Sequence, residues 1–420
     1  MSLLRDLWPV FRESDWRPSA LARRLFGTEE RDIRTLCGMM MDSDGDYSSL
    51  VIAERILDTY ERLDHAARLD FYTFLNLDFD LDPALVAEKA RDYAGEPSPE
   101  TLRALTRAAE PRRQELLRRL NLSAGGTRRL VQMRGQLLGA VREFPDLGRL
   151  DVDFRHLFSS WFNRGFLVLQ PVDWTTPAHI LEKIIAYEAV HEIRNWNELR
   201  RRLEPDDRHC YALFHPVMED EPLVFVEVAL TADMPAHIDD ILDADRAPVV
   251  PEEATHAVFY SISNCHRGLD GVSFGNFLIK QVASNLRMRF PALRSFATIS
   301  PAPGFRRWLE GRPAADGGPP PTGEPVPPET LLPLAARYLL EAKLPDGKPL
   351  DPVARFHLKN GARLERLNAD ADPSPKGLEQ SLGLMVNYVY DLARVEENHE
   401  TYMKDRKVTS SGQVRRLLPT

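Results

Sequence analysis

The sequence predicts an α+β protein, with an all-helical domain over 1–161 followed by a mixed α/β domain over 162–420. Three observations carry this reading. Up to Phe162 the apolar residues recur at helical spacing and strand-like alternation is nearly absent. After Asn163-Arg164-Gly165 the pattern changes to short apolar runs separated by turn residues. The stretch 256–305 then reads as a strand, a glycine-bearing turn, an amphipathic helix and a second strand that stops at Ser300-Pro301. At 420 residues the chain is too long for one ordinary core, and its 43% hydrophobic content is enough to fill more than one.

In the first domain, the segment 49–60 places Leu50, Ala53, Ile56, Leu57 and Tyr60 on one helical face, with charges opposite. Pro83 and Pro111 sit where helices can start, and Gly125-Gly126 interrupts the pattern before a helix over 127–144. These helices carry little chemistry, so their role reads as assembly of a homodimer or tetramer. The run Cys37-Gly38-Met39-Met40-Met41 offers soft ligands, but methionine at helical spacing is core filler, and no metal is predicted.

The second domain opens with a strand over 166–169, a helix over 178–190 and strands over 211–214 and 223–230. His191-Glu192 resembles the start of a zinc-protease motif, yet the position four on from His191 is Asn195, so that reading fails. A strand over 257–262 leads to a turn with Gly268, Gly271 and Gly275. The helix that follows, over 276–289, has Phe277, Leu278, Val282 and Leu286 on one face. Its amino end, with unpaired N–H groups and the positive end of the helix dipole, suits an anionic phosphate. The tract over 311–328 is rich in proline and glycine and reads as a mobile surface loop inside the domain. After a helix over 331–342, Asp351 is a good N-cap with Pro352 at the first helical position. The short helix so begun holds His357, with Val353, Phe356 and Asn360 on the same side, and ends near Asn360-Gly361. A last strand is predicted over 362–368, and beyond Tyr390 the chain reads as polar and peripheral.

Composition excludes several classes of function. With 54 basic against 63 acidic side chains the net charge is -9, which disfavours bulk attraction to nucleic acid or anionic membrane. Three widely spaced cysteines, Cys37, Cys210 and Cys265, form no CxxC pair, so neither a disulfide framework nor a zinc ribbon is predicted. There is no run of eighteen apolar residues, and the first residues contain acids unlike a targeting segment. A cytoplasmic protein is expected.

Several long segments closely resemble malonyl-CoA decarboxylase. They are Ser261-Ile262-Ser263, Gly271-Val272 with Gly275-Asn276-Phe277-Leu278-Ile279-Lys280, and Ser300-Pro301-Ala302-Pro303-Gly304-Phe305. To these add the stretches 351–362 and 383–388, and upstream 159–163 and 221–230. One departure is Ala302, which stands where a larger aliphatic is expected. The resemblance implies a GNAT (acetyltransferase-like) fold for the second domain, in agreement with the order of strands, glycine turn, helix and strand. The turn follows the acetyltransferase phosphate-binding pattern only loosely.

Decarboxylating a malonyl thioester needs a desolvated carboxylate, a place for charge on the thioester oxygen, and a proton for the carbanion. The thioester is itself the electron sink, so no metal or organic cofactor is expected. Histidine, with an ordinary pKa of about 6.5, suits the proton-donor task. By resemblance, Ser300 hydrogen-bonds the malonyl group and acts as proton acceptor, while His357 acts as proton donor. Tyr390 is the third candidate, to position His357 or donate to the substrate carboxylate, with Asn387 in the same segment. The acyl-CoA segment carried over is Asp270, Gly271, Val272, Ser273, Phe274, Gly275 and Asn276, alongside Ser300 and His357. Glu227, mid-strand in an apolar run, either orients the histidine or faces solvent. Malonyl-CoA and acetyl-CoA are thus the implied ligands, in malonate or fatty-acid metabolism. The competing readings are a CoA-dependent acyltransferase of the same fold and a non-catalytic malonyl-CoA sensor.

Overall fold

The structure, a computed structural model, describes residues 31–43, 45–272, 274–312 and 326–418. Most of the proline and glycine tract, 313–325, lies outside the described residues. The described chain forms two compact units. The first comprises the residues up to Asn163 together with His266–Val272, and the second comprises Arg164–Cys265 with the residues from Ser273 onward.

The first unit is helical: α1 (Ile33–Met41), α2 (Asp46–Arg62), α3 (His65–Leu77), α4 (Pro83–Gly95), α5 (Pro99–Ala108), α6 (Arg112–Asn121), α7 (Gly126–Glu143) and α8 (Gly148–Trp161). Side-chain caps start several of them: Asp64, Asp82 and Ser98 each accept from backbone N–H groups of the first turn, satisfying donors that the helix itself leaves unpaired. The core is formed by Leu36, Met40, Ile56, Leu57, Leu116, Leu137 and Phe154, and Cys37 is packed among them. Gly268, read from the sequence as a phosphate-turn glycine, has another reason to be glycine. A Cβ there would lie 1.8 Å from the Val131 carbonyl oxygen on α7. Arg134 of α7, itself buried, donates to the Gly268 carbonyl at 2.7 Å and pairs with Asp151 at 2.8 Å.

The second unit is a mixed sheet of β1 (Val168–Val172), β2 (Arg208–Phe214), β3 (Pro222–Thr231), β4 (His256–Asn264), β5 (Ser295–Thr298), β6 (Ser300–Pro301), β7 (Arg363–Asn368) and β8 (Met385–Val389). Its order is β1-β2-β3-β4-β5-β8-β6, with β7 also paired to β8. The strands β1 to β4 are antiparallel, β4 and β5 are parallel, and β8 returns antiparallel to β5. The parallel pair requires a crossover, and α12 (Gly275–Arg289) supplies it, in the strand, glycine turn, helix and strand order that the sequence predicts. The remaining helices are α9 (Ala178–Tyr187), α10 (Trp196–Leu203), α11 (Asp239–Leu242), α13 (Phe305–Glu310), α14 (Pro328–Leu340), α15 (Pro352–Lys359), α16 (Pro375–Ser381), α17 (Val395–Asp405) and α18 (Gly412–Arg415). No helix among the described residues is long and apolar enough to cross a membrane.

Several sequence expectations change. The first strand begins at Val168 rather than 166, and the helix predicted to 190 ends at Tyr187, where Glu188 turns its carboxylate back onto the N–H groups of Val190 and His191. The segment beyond Tyr390 is not peripheral, because α17 packs against α15 and buries Val395 and Tyr402. Gly361, which ends the α15 turn, has φ +85°, and a Cβ there would lie 2.0 Å from the Val395 carbonyl oxygen. Gly361→Ala should therefore lower stability by more than about 1–2 kcal/mol, the cost of the left-handed conformation alone. Denaturant unfolding measures it; an unchanged midpoint would show that this contact is not made.

Candidate active site

Ser300 reaches its position because β5 stops at Thr298 and the chain re-pairs two residues later, after Ile299. Ser300 lies opposite Val386, and Pro301, which lacks an N–H, lies opposite Met385 at the sheet margin. His357 sits on α15, whose start is fixed as the sequence predicts: the Asp351 carboxylate accepts from the Ala354 N–H at 2.7 Å and from the Tyr338 hydroxyl at 3.1 Å. Of the side predicted for this helix, His357 and Asn360 are buried while Val353 and Phe356 are only half-buried. Tyr390 follows β8, held by its N–H donating to the Phe296 carbonyl at 2.8 Å.

These three side chains converge, although fifty-six residues separate Ser300 from His357 in the sequence. The Ser300 hydroxyl oxygen is 3.0 Å from His357 Nε2, and His357 Nδ1 is 2.8 Å from the Tyr390 hydroxyl. Ser300 also donates to the Thr298 hydroxyl oxygen at 2.9 Å, and that oxygen accepts from the Tyr388 N–H at 3.3 Å. The Tyr388 ring stacks on the imidazole with centroids 4.5 Å apart. All members are buried, with 6% of Ser300, 3% of His357 and 2% of Tyr390 exposed. Burial alone drives the His357 pKa down to about 3, so the imidazole is neutral across the physiological range. Burial likewise raises the Tyr390 phenol above its ordinary range, which keeps it protonated.

Other candidates lie elsewhere. Asn387 is a structural tie, donating to the Thr298 and Pro235 carbonyls and accepting from Arg366 and Asn368. Glu227 neither orients His357 nor faces solvent. Val228 pairs with Phe259, which pairs with Thr298, so Thr298 and Ser300 share a sheet face with Val228, and Glu227 points to the other face. There its carboxylate accepts from Arg202 of α10 at 2.8 Å. Its pKa is pushed up to about 7 by burial, against the pull of Arg202. A cavity of about 690 Å³, lined by His191, Arg202, Ile238, Asp372 and Lys376 among others, opens on that second face.

The predicted acyl-CoA segment is divided between the units. Asp270, Gly271 and Val272 belong to the first, where burial raises the Asp270 pKa against Arg134, Arg267 and Arg142. Phe274 is buried in the second, and Gly275 and Asn276 open α12. Ser273 lies outside the described residues. Among the described residues, no group of three His, Cys, Asp or Glu side chains converges as metal ligands. Sequence reasoning missed Thr298 and Tyr388. The one signal for Thr298 was its place two residues before Ser300, on the same face of an extended chain.

The model of the malonyl-CoA decarboxylase C-terminal domain matches residues 165–320 and 325–420, and that of the N-terminal domain matches 79–162. A mitochondrial malonyl-CoA decarboxylase of Mus musculus is 37% identical over 356 residues, covering 74% of this chain and 72% of the relative. The crystal structure of malonyl-CoA decarboxylase from Rhodopseudomonas palustris superposes with TM-score 0.85 at 47% identity, over 91% of this chain and 98% of that one. That from Agrobacterium vitis gives 0.84 at 51% identity, over 93% and 100%. With both of its domain models matched along most of the sequence, the chain belongs to the malonyl-CoA decarboxylase family.

Proposed function

We propose that this protein is a carboxy-lyase that converts malonyl-CoA to acetyl-CoA and carbon dioxide, with Ser300 and His357 at the reacting group and no metal or organic cofactor. The observation that carries the reading is the buried 3.0 Å contact between the two side chains, on a chain of this family. In the reaction, the bond between the malonyl carboxylate and the methylene carbon breaks. Its electron pair moves into the thioester as an enolate, carbon dioxide leaves, and the methylene carbon takes one proton. A water-poor site favours the first step, because the charge passes from a carboxylate that needs solvation to a delocalised enolate. Hydrogen-bond donors aimed at the enolate oxygen contribute roughly 3 kcal/mol each. The neutral imidazole gives the proton from Nε2, beside Ser300, and solvent restores it after the turnover.

Incubating the purified protein with malonyl-CoA alone tests the activity. Stoichiometric acetyl-CoA and carbon dioxide are expected. An acyltransferase would form no acetyl-CoA without an acceptor, and a sensor would bind without releasing carbon dioxide.

The proton inventory of the site is open to a separate measurement. Because the folded-state pKa of His357 lies near 3, below the ordinary value, the imidazole stays neutral until the pH falls through that low value. In an NMR titration of labelled histidine, the His357 signals should therefore hold still from pH 8 to about 5, while freely solvated imidazoles move around about 6.5. A midpoint near 6.5 for His357 would contradict the burial of the site.

A further inference from the structure

We infer that Thr298 is a positioning residue that sets the direction of the hydrogen-bond chain through Ser300 and His357, and so fixes the proton of the resting imidazole on Nε2. The inference rests on the proposed decarboxylase reading for its consequence in catalysis, but its structural content stands alone.

The donors available along the chain set its direction. Ser300 has one hydroxyl proton, and its geometry directs that proton to the Thr298 oxygen at 2.9 Å. Thr298 is wholly buried, and its oxygen also accepts from the Tyr388 N–H at 3.3 Å, so two donors converge on it. With its own proton committed there, Ser300 meets His357 Nε2 at 3.0 Å as an acceptor, and Nε2 must carry the hydrogen. The far end is compatible with this direction. Nδ1 lies 2.8 Å from the Tyr390 hydroxyl, which also meets the Asn360 side chain. With the hydrogen on Nε2, the bare Nδ1 accepts the phenol proton and both groups are paired. The order is therefore Tyr390 to Nδ1, Nε2 to Ser300, and Ser300 to Thr298.

Chemically, this direction loads a hydrogen on the ring nitrogen beside Ser300 before substrate arrives. Without the Thr298 hydroxyl, the Ser300 proton has Nε2 as its nearest acceptor. The imidazole then takes its hydrogen on Nδ1 and presents a bare nitrogen to the reacting carbon, which is the wrong tautomer for a proton donor.

The test uses Thr298→Val, which keeps the shape and removes the hydroxyl, and Thr298→Ser, which keeps the hydroxyl. Turnover of malonyl-CoA by Thr298→Val should fall roughly tenfold to a hundredfold with KM changed less than about twofold, and Thr298→Ser should stay within about threefold of the parent. In parallel, nitrogen-15 NMR of histidine-labelled protein at pH 7, with His357 identified by its loss in His357→Gln, reads the tautomer. The parent protein and Thr298→Ser should show hydrogen on Nε2, and Thr298→Val on Nδ1. Hydrogen on Nδ1 in the parent overturns the inference without any variant, so a Thr298→Val that fails to fold leaves it testable. Parental turnover in a folded Thr298→Val also overturns it. If the parent releases no carbon dioxide, the decarboxylase reading falls while the spectrum still decides the direction of the chain.

Discussion

His357→Ala should lower turnover of malonyl-CoA by at least about a hundredfold while CoA affinity is nearly unchanged, the usual scale for a positioned acid. The imidazole touches Ser300 on one side and Tyr390 on the other, and the Tyr388 ring covers its face. Removing it deletes the proposed proton source and also takes the imidazole partner from the buried Tyr390 hydroxyl, and a lost buried hydrogen bond costs about 1–3 kcal/mol of stability. The two effects are separable: rapid-mixing measurement of the chemical step reads the first, and denaturant unfolding reads the second. Undiminished turnover in a folded His357→Ala would remove the imidazole from the mechanism.

Ser300→Ala is expected to cost about tenfold to a hundredfold in turnover, on the scale of losing one preorganised hydrogen-bond group. Its hydroxyl bridges Thr298 Oγ1 and His357 Nε2, so the alanine variant cuts the chain at its centre and leaves the imidazole unanchored on the substrate side. The loss should appear in kcat rather than KM if the contact matters most in the transition state. A serine that served only as a turn residue at the strand end would show the opposite: a lower melting temperature and full turnover.

How much of this was legible beforehand depends on the kind of signal. The start of α15 was readable because capping is local: Asp351 and Pro352 specify it within four residues, and the Asp351 carboxylate accepts from the Ala354 N–H at 2.7 Å. Helix α12 and the strand before it were readable because their periodicities differ. Strand β8 was not, since Met385-Val386-Asn387-Tyr388 is buried throughout and shows no alternation. The surroundings of Glu227 were unreadable for a related reason. A carboxylate in an apolar run demands a partner, but nothing in the run says that the partner is Arg202, twenty-five residues upstream.

The sequence by itself determined the division into helical and mixed α/β parts, the caps, the turn chemistry and, through its matched segments, the family. These depend on interactions within a few residues or on patterns that repeat along the chain. The tertiary structure alone decided that Ser300, His357 and Tyr390 form one buried row ending on Thr298, that Gly268 is glycine for packing, and that Glu227 serves the opposite face. Such contacts are made by strand order and helix docking. Their energies depend on burial, which no residue acquires until the sheet has closed over it.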